Sequence, residues 1–291
     1  MSYNKEWSTS NPGFITILID QSGSMNKEFE KGRTKAEAAA EALNWTIDAL
    51  INMNLSGEKI KDRCYLSLIG YGEEGKAKSI KFEKLSEIAN SVTEYDIKYP
   101  FDDEGSPYKL GIQIKPVKTG TNTPMADAFK IAFKTIKLLI ERNEKGPAPI
   151  VINISDGMPN NEQDTIDAVK RIQSLSCNDG NVLVYNVHLQ TLGKENPSVR
   201  FPSTPEEIKN KEALFLFNIS SNIPTQHLEI ARELGLIPPG KSNDHRGCIF
   251  SANAAELIKL LAFGTSTKTN INSRAVDNFP TDNMPLREEG I

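Results

Sequence analysis

Cysteine is scarce in this sequence: Cys64, Cys177 and Cys248 are the only three in 291 residues, and no two form a CxxC. So few, at wide spacing and in odd number, argue against a disulfide framework and fit a reducing compartment. Histidine is equally scarce, with His188, His227 and His245. His245 and Cys248 lie three apart, but a zinc site needs two more ligands, which the sequence does not place. No apolar run reaches ten residues, too short to span a bilayer. Residues 1–12 are polar and lack the basic start and apolar stretch of a signal peptide. The expected compartment is therefore the cytoplasm. No basic block stands out either. The 34 Lys and Arg against 38 Asp and Glu leave a net charge of −4, so neither nucleic acid nor membrane is an expected partner.

What is present is an ordinary globular composition, 38% hydrophobic and 25% charged, in a chain long enough to bury a core unaided. Short apolar runs alternate with amphipathic stretches. Phe14 to Ile19, Cys64 to Gly70, Pro149 to Ser155, Val182 to Leu189 and Gly247 to Ser251 read as strands buried on both faces. Lys78 to Phe82 reads as a polar edge strand, antiparallel to its neighbour. Thr34 and Glu37 form a capping box, which predicts a helix to about Met53 with Ala36, Ala40, Leu43, Ile47 and Leu50 on its buried face. Further helices are expected within 83–94, from Pro124 at a first helical position, over 165–175, over 224–234 ahead of Gly235, and from Asn253 to about Gly264. Leu214 to Ile219 is open between strand and helix. The expected fold is α/β: a Rossmann-like, doubly wound, mostly parallel sheet with helices on both faces and one short antiparallel edge strand.

In such sheets the ligand site lies at the carboxyl ends of the strands, where strand order reverses. Three loops fall there, and all carry oxygen ligands. The first is Asp20-Gln21-Ser22-Gly23-Ser24, a DxSxS pattern. The second is Thr119 to Pro124, and the third is Ser155-Asp156-Gly157. Asp20 and Ser22 share a side of an extended chain, and the turn at Gly23 can bring Ser24 round. Hydroxyls and carboxylates together make a hard oxygen set, which favours Mg2+, Mn2+ or Ca2+ over Zn2+.

DxSxS after the first strand, Thr123 before a helix and Asp156-Gly157 after the central strand resemble the metal-ion-dependent adhesion site of von Willebrand factor A domains. The resemblance spans roughly Phe14 to Gly264. It implies direct metal ligation by Ser22 and Ser24, support from Asp20 and Asp156, and a state-dependent ligand in Thr123. KPVKTGTNTPMADAF, PIVINISDG and DGNVLVYNVHL look like stand-alone bacterial members of that family, which implies work beside protein kinases or phosphatases. The resulting division is an arm over 1–12, the domain over 13–264 with insertions near 95–118 and 191–212, and a polar tail over 265–291. The expected function is non-enzymatic: a divalent-metal-dependent module whose ion accepts an Asp or Glu from a partner protein.

Other readings compete. The alternative function is a metal-dependent hydrolase or phosphotransferase using Asp20 or a metal-bound water. It lacks an evident general base, since the motif's carboxylates are already occupied. Asp, Ser and Thr also cap turns and helices without any ion. Asp127, one turn into its helix, serves the helix N-terminus. Gly70 to Lys76, GYGEEGK, matches GxGxxG and the start of a phosphate loop. Ala77 stands where Ser or Thr is needed, and two glutamates would repel phosphate.

Overall fold

The structure, a computed structural model, describes residues 2–30, 32–91, 93–97, 108–112, 120, 122–189, 198–237 and 243–265. A seven-stranded sheet forms its centre. In chain order its strands are β1 (Gly13–Asp20), β2 (Cys64–Tyr71), β3 (Ala77–Lys84), β4 (Ile150–Ser155), β5 (Leu183–Leu189), β6 (Val199–Arg200) and β7 (Cys248–Ala252). They lie in the order β6-β7-β5-β4-β1-β2-β3. The five central strands are parallel. β3 runs antiparallel on β2, as the sequence predicts, and β6 adds a second antiparallel edge on β7. This is the Rossmann-like, von Willebrand factor A-type arrangement.

Helices cover both faces: α1 (Lys35–Met53), α2 (Leu85–Asn90), α3 (Met125–Arg142), α4 (Glu162–Gln173), α5 (Lys211–Ile219), α6 (Leu228–Glu233) and α7 (Ala254–Thr265). The period of two in β1 explains the layers. Ile15, Ile17 and Ile19 enter one core, with Leu43, Ile47 and Leu50 of α1 and Leu257, Leu260 and Leu261 of α7. Phe14 and Leu18 enter the other, with Phe129 and Ile136 of α3, Val169 of α4 and Leu216 of α5. Each fully buried side chain of this size contributes about 1.5–3 kcal/mol.

Local signals account for the element ends. Thr34 Oγ1 accepts from Glu37 N–H at 3.2 Å, and Glu37 Oε2 accepts from Thr34 N–H at 2.8 Å, which starts α1. Gly235, at φ +67°, lies just past the end of α6. Leu214 to Ile219 is helical, because Asn210 Oδ1 caps Ala213 N–H at 2.6 Å and starts α5. Pro124 immediately precedes α3 rather than opening it.

Within 95–118, Tyr108–Ile112 pairs antiparallel with Thr93–Ile97 as a separate two-stranded sheet, where a long loop with an extended end at 111–117 was expected. The rest of that insertion, 191–197 of the second, and 266–291 lie outside the described residues. The N-terminal arm docks on the segment that leads into β5: Asp179 Oδ1 accepts from the N–H groups of Asn4 and Lys5, and Tyr3 Oη accepts from Asn181 N–H.

Candidate functional site

β1 ends at the sheet's switch point, between β4 and β2, and delivers Asp20 there. Its side chain is buried. Oδ1 accepts from Ser22 N–H at 2.8 Å, and Oδ2 accepts from Ser155 Oγ–H at 2.8 Å. Gln21 N–H continues the sheet pairing to Tyr71 O at 2.7 Å. The chain then turns through Gly23–Asn26, anchored by the fully buried Met25. Gly23 N–H donates to Gly120 O at 2.7 Å, joining the first loop to the second. A Cβ on Gly120 would overlap the backbone carbonyl of Gly72, so the second loop meets the turn from β2 into β3 at a contact only glycine allows.

The third loop closes the set. Ser24 Oγ donates to Asp156 Oδ1 at 2.6 Å, and Ser22 and Ser24 hydroxyls lie 3.0 Å apart. Since the Ser24 proton goes to Asp156, Ser22 is the donor to Ser24, and the two hydroxyls form a directed relay. The other oxygen, Asp156 Oδ2, accepts from Lys35 Nζ at 2.5 Å. The two side chains are 1% and 2% exposed, a fully buried ion pair. Lys35 is the first residue of α1, so the capping box that starts the helix also aims this ammonium.

Thr123 belongs to the second loop and is held by its backbone. Its N–H donates to Asn160 Oδ1 at 2.8 Å, and its carbonyl accepts from Asn160 N–H at 3.1 Å and Met125 N–H at 2.8 Å. This clips the second loop to the third. Asp127 is exposed and pairs with Lys130, a surface feature of the first turn of α3. His188, paired in register with Ser155, sits near the cluster. Burial first, and the Lys35 charge second, push its pKa below the ordinary imidazole value. Burial first, and the charge of Asp156 second, push the Asp20 carboxyl up to about 6, against hydrogen bonds from Ser22 and Ser155 that lower it.

The structure thus brings Asp20, Ser22, Ser24 and Asp156 together and places Thr123 in the adjoining loop. It corrects what they were expected to hold. Among the described residues, no group of three or more His, Cys, Asp or Glu side chains could hold a metal ion. The physical reason lies in the carboxylates. There are two, both oxygens of each are hydrogen-bonded, and Asp156 is neutralised by the Lys35 ammonium. The expected Mg2+, Mn2+ or Ca2+ falls, and so does the metal-dependent module. The Asp or Glu of a partner reaching an ion, and the kinase or phosphatase system attached to that idea, fall with it. The hydrolase or phosphotransferase alternative fails on the same ground: Asp20 is 1% exposed, out of reach of a substrate.

Lys35 and Asn160 were missed from sequence, and Ser155 was placed in the third loop without its hydrogen bond to Asp20. A Lys at the start of a helix reads as solvated, and only the Thr34 cap hints at its direction. GYGEEGK forms the tight turn from β2 into β3, so a strand and no helix follows it.

No protein-family model and no curated protein sequence matches the chain. Solved structures similar to it include the pilus adhesin SpaC from Lactobacillus rhamnosus GG, at 13% identity and TM-score 0.41, over 64% of this chain and 25% of that one. The manganese-loaded TRAP protein of Plasmodium vivax is similar at 14% identity and TM-score 0.39, over 87% and 74%. Proximal thread matrix protein 1 from the mussel byssus is similar at 12% identity and TM-score 0.41, over 89% and 47%. Likenesses of this order carry no argument about activity. The expectation of a cytoplasmic protein is withdrawn: pilus and byssus proteins stand among these structures, and no structural feature places this chain in the cytoplasm. No described helix is long and apolar enough to cross a membrane.

Proposed function

We propose that this chain is a non-catalytic von Willebrand factor A-like domain, and that the loops at the carboxyl edge of its sheet form a metal-independent protein-docking surface. The observation that carries the reading is the buried Lys35–Asp156 pair beneath the Ser22–Ser24 relay. It makes the floor of the site rigid and neutralises one of its two carboxylates. A reaction would need a reachable nucleophile or an acid/base pair. Here the carboxylates are buried and spoken for, while the rim offers Ser24, Asn122, Thr123 and Asn160 as neutral hydrogen-bonding groups. A partner recognised by this rim supplies complementary polar groups, and shape does most of the selecting.

The test uses Gly157. Open space surrounds the position a Cβ would take there. Gly157→Trp should therefore fold normally and obstruct the rim. Partners captured from native extract by the immobilised chain should bind it at least tenfold more weakly, with EDTA making no difference to the wild type. Equal binding by wild type and Gly157→Trp would place docking elsewhere.

A further inference from the structure

A pocket of about 500 Å3 opens where β2 begins. It lies one strand length, about 25 Å, from the loops of the first site. Its walls come from the N-terminal arm (Thr9), the small hairpin of Leu55–Ser56 with Lys59–Ile60, the start of β2 (Tyr65) and the end of β3 (Lys84).

Three lysines line it: Lys59, Lys61 and Lys84. Lys59 lies on the hairpin's second strand and Lys61 directly follows it, and both line the pocket. Lys84 is the register partner of Tyr65 and lines the pocket from the facing strand. Among the described residues none of the three is in an ion pair. The one carboxylate in the lining does not serve them. Asp62 Oδ1 accepts from Ser86 N–H and Oδ2 from Ser86 Oγ–H, both at 2.9 Å, so it anchors the start of α2. Glu58, in the hairpin turn, does not line the pocket. Three like charges lining one concave surface raise the local potential and attract a counter-anion. Ile60 and the Tyr65 ring, itself stacked on Phe82 at 6.0 Å, add an apolar wall.

We infer that this basal pocket binds a phosphomonoester, its phosphoryl group among Lys59, Lys61 and Lys84 and its organic part against Ile60 and Tyr65. The volume fits a small organic phosphate rather than a bare ion.

Isothermal titration of the full chain with phenyl phosphate, at constant ionic strength made up with chloride, tests it. Saturable binding at one site is expected. It should be tighter than for inorganic phosphate and weaken at least tenfold in Lys59→Gln/Lys61→Gln/Lys84→Gln. It should be unchanged in Lys134→Gln/Lys137→Gln on α3. Should the triple variant melt early, Lys61→Gln, at an exposed position, carries the same test with a smaller loss. No saturable binding, or an equal loss in the α3 variant, overturns the assignment.

Discussion

Lys35 Nζ lies 2.5 Å from Asp156 Oδ2, with neither side chain more than 2% exposed. A buried pair of this kind gains little over an apolar replacement, because desolvating both charges offsets their attraction. Its consequence is conditional: each partner needs the other. The site's charge balance is therefore part of the fold, set when α1 docks on the sheet.

The first prediction follows from that dependence. Lys35→Met strands a buried carboxylate and should cost about 3–5 kcal/mol. In a chain of this size that lowers the melting temperature by roughly 6 °C or more. Lys35→Met/Asp156→Leu should recover most of the loss. Denaturant titration of the single and double variants measures it. A double variant no more stable than the single would mean the pair is not the interaction at stake.

Asp20 gives a pH signature. Its folded pKa, about 6, is above the ordinary value of 3.8, so the folded state holds the proton more tightly than the unfolded one. The resulting stability is present below about pH 4 and is lost as pH rises through about 6. The full swing is about 3 kcal/mol. Asp20→Asn carries no titrating group there. The stability of wild type relative to Asp20→Asn should therefore fall between pH 4 and pH 7. A difference that stays flat, or rises, contradicts the raised carboxyl.

Two glycines of the site should respond in opposite ways. Gly120→Ala forces a Cβ into the Gly72 carbonyl, a backbone atom that cannot swing aside. It should cost about 1–3 kcal/mol and separate the first two loops. Gly157→Ala meets open space and should be neutral within about 0.5 kcal/mol. Thermal unfolding of the two variants side by side checks this.

The buried polar ladder across the sheet offers a fourth test. Tyr71 Oη donates to Asn153 Oδ1 at 2.8 Å, Asn153 Nδ2 to Asn186 Oδ1 at 3.0 Å, and Asn186 Nδ2 to Ser220 Oγ at 2.8 Å. Asn153→Leu leaves the Tyr71 hydroxyl and the Asn186 oxygen without these partners. Each orphaned group costs about 1–3 kcal/mol. A loss well under that sum in denaturant titration would show the ladder re-forming around water.

Much of the fold was legible because strands buried on both faces announce themselves as unbroken apolar runs, as in FITILI and PIVINIS. Helix α1 was legible for a different reason: Thr34 and Glu37 state its start, and alanines and leucines at steps of three and four state its face. β6 was not, since two residues, Val199 and Arg200, carry no pattern and depend on β7 for pairing. α5 was ambiguous because Leu214 to Ile219 is apolar without a clear period, and its cap, Asn210, sits among polar residues of the preceding loop. In the site, the position of Asp20, Ser22, Ser24 and Asp156 at one end of the sheet followed from topology. Their charge state did not. Counting hydroxyls and carboxylates leaves out an ammonium delivered from the next helix, and that neighbour decides what the set can hold.

Lys35, rather than an ion, neutralises Asp156 beneath the relay. Thermal unfolding of the wild type in EDTA and in millimolar Mn2+ or Mg2+ tests it most directly, because any cation bound to the folded state raises the melting temperature by mass action. Superimposable curves are expected for wild type and for Asp156→Ala in either cation, each relative to its own EDTA control. A saturable rise in the wild type that disappears in Asp156→Ala would contradict it.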